Sequence, residues 1–128
     1  MSRAPLPDDV RRFVLTSVPS VPYIESLLLL RREAASTWTA AQLARRIYVP
    51  EVQAAGLLEV LVTSGIAVPT TEGESTYRYQ APAELEDLLG QVASHYASNL
   101  VAITDLIHSS LNRRATQFAD AFRWRKDS

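Results

Sequence analysis

The chain has 128 residues, 47% of them hydrophobic and 21% charged, the balance of a globular domain able to bury a core without staples. Cysteine is absent, which excludes disulfides, thiolate metal sites and thiol nucleophiles. The net charge of -1 conceals a split: residues 1–50 carry seven arginines against four acids, residues 51–112 carry only Arg78 against eight acids, and residues 113–128 carry five bases against two acids. No apolar run reaches the roughly 18 residues that a membrane helix needs. The opening MSRAPLPDDVRR has two acids and no apolar stretch, so no signal peptide and a cytoplasmic location are expected.

Prolines 5, 7, 19 and 22 bracket a first short helix from Asp8 to Val18, with Asp8 as its expected N-cap and Val10, Phe13, Val14 and Val18 at helical spacing. Pro22 suits the first position of a second helix running to about Ala35. Its four successive leucines, Leu27 to Leu30, predict burial, and Glu25, Arg31, Arg32 and Glu33 form its polar side. Ser36-Thr37-Trp38 breaks the pattern as a short extended piece. Thr39 then caps a third helix, with Gln42 placed for a capping box. Ala40, Leu43, Ala44 and Ile47 share one side of it, and Arg45 and Arg46 near its end suit the helix dipole.

Val49-Pro50 opens a further helix, EVQAAGLLEVLVTS, with Pro50 as its first residue and Gly65 as its stop. Leu57, Val60 and Val62 make it apolar on nearly every side, which predicts burial. Ile66 and Val68 alternate as in a strand, Thr70 to Ser75 reads as a turn, and Thr76 to Gln80 alternates again with Tyr77 and Tyr79 on one face. Pro82 starts a long helix. Leu85, Leu89, Val92, Tyr96, Leu100, Ile103, Ile107 and Leu111 follow at steps of three and four, over about 27 residues or roughly 40 Å. Gly90 is its weak point. Asn112-Arg113-Arg114 is expected to bend the chain into a last short helix bearing Phe118 and Phe122, followed by a basic tail. The chain divides into an arm (1–21), a central domain (22–81) and a C-terminal helix with its tail (82–128).

Helix, short extended piece, capped helix, tight connection, helix, glycine and hairpin is an order that resembles a winged helix-turn-helix domain. The residues that carry the resemblance are TWTAAQLARRIYVPEVQAAGLLEVLVTSGIAV followed by TYRYQ. The whole layout is similar to compact bacterial regulators of MarR-like or PadR-like plan, with three helices, a β-hairpin wing and a long C-terminal helix. The expected fold class is therefore mainly α. The resemblance implies binding to double-stranded DNA, with Pro50 to Ser64 in the major groove and the hairpin against the backbone. Gln53 would read bases, and Arg45, Arg46, Arg78, Arg31 and Arg32 would hold phosphates. The presumed reading helix departs from that pattern, because its only charges are Glu51 and Glu59.

A helix of roughly 40 Å outruns a domain near 30 Å across, so part of its stripe is expected to meet a second copy. Leu85, Leu89, Val92, Tyr96, Leu100, Ile103, Ile107, Phe118 and Phe122 would form that homodimer interface. Asp105 and His108 share a helix face, but two histidines without cysteine read as surface groups rather than as a metal site. Glu84, Glu86 and Asp87 suit the start of a helix. No phosphate loop and no catalytic constellation is present, so neither an enzyme nor a cofactor is expected. The alternative to a DNA-binding regulator is the same fold used as an interaction module for a protein partner, which the acidic, apolar helix from Pro50 to Ser64 favours.

Overall fold

The computed structural model describes residues 6–70 and 75–112, which are mainly helical with one small antiparallel sheet. Six helices and three strands follow in the order α1 (Asp8–Ser17), α2 (Val21–Arg32), β1 (Thr37–Trp38), α3 (Ala40–Ile47), α4 (Glu51–Thr63), β2 (Ala67–Pro69), β3 (Tyr77–Tyr79), α5 (Ala83–Ser98) and α6 (100–112). Two compact units result: one spans residues 22–93, the other joins the residues up to 21 with those from 94 onward. Among the described residues no single helix is long and apolar enough to cross a membrane.

The unit of residues 22–93 is built on α2, whose Tyr23, Ile24, Leu27 and Leu30 are all but inaccessible. Burying side chains of that size stabilises by about 1.5–3 kcal/mol each. The buried Ser26 hydroxyl is satisfied by donating to the Pro22 carbonyl at 2.8 Å. Leu43 of α3, Ala54, Leu58 and Leu61 of α4, and Leu89 and Val92 of α5 supply the rest of the core, with Trp38 and Ile66.

Local signals explain most boundaries. The Thr39 hydroxyl accepts from the Gln42 N–H at 3.1 Å, and the Gln42 side chain accepts from the Thr39 N–H at 2.9 Å, completing the capping box. At the end of α4, Gly65 takes φ +78°, its N–H reaching the Val62 carbonyl and that of Ile66 reaching Leu61. That is the left-handed helix stop for which glycine is suited. Helix α1 differs from expectation. Pro7 is its N-cap, and Asp8 and Asp9 lie inside the first turn. The Pro7 carbonyl closes the first helical bond, to Arg11 N–H, while the Asp9 carboxylate accepts from the Val10 N–H at 2.9 Å and both acids favour the dipole. Pro50 likewise precedes α4 as its N-cap rather than opening it.

The sheet order is β1-β3-β2, all antiparallel. Strand β3 pairs Tyr77 with Trp38 and Pro69, and Arg78 with Thr37 and Val68. Alternation therefore puts Arg78 and Thr37 on the exposed face and Trp38 on the covered one. The hairpin is closed by the Thr70 N–H donating to the Thr76 carbonyl at 2.8 Å and by contact between the two threonine hydroxyls.

The expected single helix from Pro82 to Leu111 is divided at Asn99. The Asn99 N–H bonds the His95 carbonyl at 2.7 Å, and the Asn99 carbonyl receives the Ile103 N–H at 3.3 Å, so α5 ends on this residue and α6 starts from it. Serine and asparagine side chains compete for backbone groups, and the Ser98 hydroxyl does so here by donating to the Ser94 carbonyl at 2.9 Å. The apolar stripe is therefore carried by two helices rather than by one. In the unit of α1 and α6, the buried apolar residues among those described are Val10, Phe13, Val14 and Val18 with Ile103 and Ile107, and Asn99 is buried too.

Replacing Thr39 with Ala removes one half of the capping box. Urea unfolding should show a loss of about 1 kcal/mol with an unchanged slope.

Candidate functional site

Helices α3 and α4 are joined by Tyr48, Val49 and Pro50, and this junction shapes the exposed surface. Helix α3 ends with Tyr48 at φ 60°, in left-handed backbone where glycine or asparagine is usual. The N–H groups of Tyr48 and Val49 both turn back to the Ala44 carbonyl, which makes the reversal tight. The Tyr48 ring gains nothing in return from the described chain, since 93% of the residue is exposed.

Helix α4 then buries one stripe, Ala54, Leu58 and Leu61, and turns Glu51, Val52, Gln53, Gly56, Glu59, Val60 and Thr63 to solvent. It is not buried all round: Val52 is 86% exposed and Val60 45%. The Thr63 hydroxyl is taken up by the Glu59 carbonyl at 3.0 Å, which leaves Gln53 as the polar side chain on this face suited to reading a ligand edge. Gly56 sits at ordinary helical dihedrals, and a Cβ built on it would meet no atom within 4 Å. Nothing within the described chain requires glycine there.

Beside α3, an open depression of about 300 Å³ is lined by Glu33, Ser36, Thr37, Trp38, Gln42, Arg45 and Arg46. Arg46 crosses it. Its Nη2 lies 2.6 Å from one Glu33 oxygen and its Nη1 3.4 Å from the other, and its guanidinium carbon stands 5.4 Å from the Trp38 ring centroid. The hydrogen bond from Arg46 holds the Glu33 carboxyl below the usual carboxylate range and raises Arg46 in turn. Arg45 lines the same depression, is exposed and has no ion pair among the described residues.

Arg31 is also committed. Its Nη2 lies 2.8 Å from Glu86, whose other carboxylate oxygen accepts the Tyr79 hydroxyl. A Cβ at Gly90 would come within 3.0 Å of Arg31 Nη2, so the glycine in α5 gives the guanidinium room. Burial, and then the bond to Glu86, push the Tyr79 phenol well above its ordinary range.

Of the six residues expected to meet DNA, the structure thus ties Arg31 and Arg46 to carboxylates and leaves Arg32, Arg45, Gln53 and Arg78 exposed. Arg78 makes a single weak contact, 3.3 Å to Gln80. Its Cα partner across the strands is Thr37, which lines the depression beside Arg45. Of the expected dimer residues, Leu89, Val92, Ile103 and Ile107 have no accessible surface in the single chain, Leu85 and Tyr96 are half-buried, and Leu100 is 47% exposed. A side chain already covered gains no further burial from a partner. Phe118 and Phe122 lie outside the described residues, as do Glu72 and Glu74 at the hairpin tip. Asp105 and His108 are exposed, and among the described residues no three possible ligands gather into a metal site. Sequence reading passed over Tyr48 and Val52. The signal for Tyr48 was its place between two capped helices with no glycine to make the turn.

No family model and no curated protein matches the chain. It is similar to the crystal structure of RV1404 from Mycobacterium tuberculosis, with a TM-score of 0.50 and 16% identity, over 88% of this chain and 81% of that one. At that identity the likeness concerns the fold alone.

Two outcomes follow. Gly56→Ala should raise stability by about 0.5–1 kcal/mol, and Tyr48→Gly by a similar amount, both measurable by urea unfolding. Tyr79 has a raised folded pKa, so its contribution is complete below its ordinary value of 10.0 and is lost as pH rises through the raised one. Tyr79→Phe should lower stability by about 1 kcal/mol at neutral pH and flatten the alkaline fall expected of the parent protein.

Proposed function

We propose that the protein is a DNA-binding regulator built on a winged helix-turn-helix. The observation that carries the reading is topological. A helix, a short strand, two tightly joined helices and a hairpin are assembled with β3 between β1 and β2. On this reading α3–α4 would be the helix-turn-helix and β2–β3 the wing. The outer face of α4 would enter the major groove with Gln53 toward the bases. Arg45 on α3, Arg78 on the exposed face of β3, and Arg32 would then contact phosphates. Arg31 and Arg46 act within the fold. The protein would work as a homodimer, since operators are read by paired half-sites. Leu100, Val101 and Leu111, at 47%, 51% and 41% exposure, offer the apolar surface for it.

A second reading, an interaction module for another protein, is favoured by one feature: α4 shows solvent two valines and two glutamates and no base. Fluorescence anisotropy of the full chain on random duplex DNA, across a salt series, separates the two. The DNA reading expects dissociation constants of about 1–100 μM at physiological salt, tightening steeply as salt is lowered. Arg45→Ala with Arg78→Ala should reduce the steepness of log K against log salt by about 1.8 per protomer, about 3.6 for the homodimer, for two lost phosphate contacts on each copy. No binding at low salt would overturn the DNA reading and leave the second.

A further inference from the structure

Resting on the DNA reading, we infer that the outer face of α4, headed by Tyr48, is fitted to A·T pairs in the major groove and rejects G·C pairs. Four observations on this one surface point the same way. Gln53, exposed in the first turn of α4, carries an amide whose donor and acceptor match adenine N7 and N6 together. Val52, next to it and 86% exposed, offers an apolar surface to the thymine methyl, a group that only the A·T pair presents in that groove.

Gly56 stands one turn beyond Val52, with open space where a Cβ would be. Glycine weakens a helix, and no close neighbour within the described chain demands it here. Its use is outward, because without a Cβ a base edge can approach the helix backbone closely. Guanine, by contrast, shows two acceptors, N7 and O6, whose usual readers are arginine and lysine. Helix α4 has neither, and its exposed charges are Glu51 and Glu59, which repel acceptors.

Tyr48 completes the surface. Its left-handed backbone is unfavourable for a side chain, and its ring is left almost wholly in solvent. The sequence keeps an aromatic where glycine would make the turn without strain. Held just before α4, the phenol hydroxyl can donate to a phosphate at the edge of the groove, as tyrosines in such interfaces do. Tyr48 and Gly56 are thus two choices that weaken the folded chain and face outward, beside the two side chains suited to an A·T pair.

The test is anisotropy of the full chain on duplexes of about 20 base pairs, one all A·T, one all G·C, and one with deoxyuridine in place of every thymidine. The expected result is an A·T preference of about tenfold or more over G·C. Deoxyuridine, which lacks only the methyl group, should weaken binding about threefold to tenfold in the parent protein and leave Val52→Asn, which offers the methyl a polar group, unaffected. Gln53→Ala should erase most of the preference. Gly56→Ala should bind the A·T duplex several-fold more weakly while unfolding at higher urea, an opposition that damage to the fold would not produce. Equal, salt-sensitive binding to A·T and G·C, or a preference for G·C through Glu59 and cytosine, overturns this inference and leaves the DNA reading intact. An A·T preference that ignores the methyl group and survives Gln53→Ala also overturns it, because groove shape would then be the source. Binding to none of the duplexes at low salt overturns both this inference and the DNA reading, in favour of a protein partner.

Discussion

The carboxylate of Glu86 ties together three elements that are far apart in the chain. One oxygen meets Arg31 at the end of α2, and the other receives the hydroxyl of Tyr79 on β3, while Glu86 itself stands in the first turn of α5. The hairpin is short and its strands have three residues each, so little else in its own backbone fixes it. Each bond is partly exposed and modest alone, with side-chain exposures of 29% for Arg31 and 38% for Glu86. Together they anchor β3, and β3 in turn pairs with both β1 and β2. Trp38 is positioned by that pairing, and Arg46 lies over Trp38.

The same economy of charge decides which arginines are available to a ligand. Among the described residues, Arg31 and Arg46 pair with carboxylates, and each stabilises a joint: α2 with α5 and β3 in one case, α3 with the segment after α2 in the other. Arg45, adjacent to Arg46, has no such partner and sits at the rim of the same depression. A helix places neighbouring residues on different sides, so the Arg45-Arg46 pair serves two purposes: one side chain inward to Glu33, one free.

What could be read from the sequence was what is local. Thr39 with Gln42, the glycine stop at Gly65 and the buried leucines of α2 each depend on residues within one or two turns, and each is present as expected. The pairing of Thr37-Trp38 with β3 was not legible. Two extended residues carry no alternation to follow, and their partner lies beyond two helices. The Arg31–Glu86 pair escaped for the same reason. The interruption at Asn99 was hidden differently. Tyr96, Leu100, Ile103 and Ile107 keep helical spacing straight through it, so the apolar period carries no mark of the break, and only the poor helix propensity of Ser98-Asn99 does. Of the candidate site, Gln53 and the lack of bases on α4 were visible as residue types. Tyr48 was marked only indirectly, by the lack of a glycine between two helices, because its importance lies in a backbone angle.

An outer α4 face without positive charge changes where the affinity of a DNA-binding protein would come from. Phosphate contacts provide most of the affinity for arbitrary sequences, and they scale with the number of free cations. Here Arg32, Arg45 and Arg78 are the free arginines of the described part of the unit 22–93, and acids on α4 work against them. Weak general attraction raises the relative weight of base contacts, since each good contact adds a sequence-dependent increment that the wrong base forfeits. Glycine at position 56 fits such a balance: it weakens the folded helix slightly at all times, and only an edge that comes close to the backbone can return the difference. A surface of this kind would discriminate more sharply than it holds, which suits a protein that must leave non-cognate DNA readily.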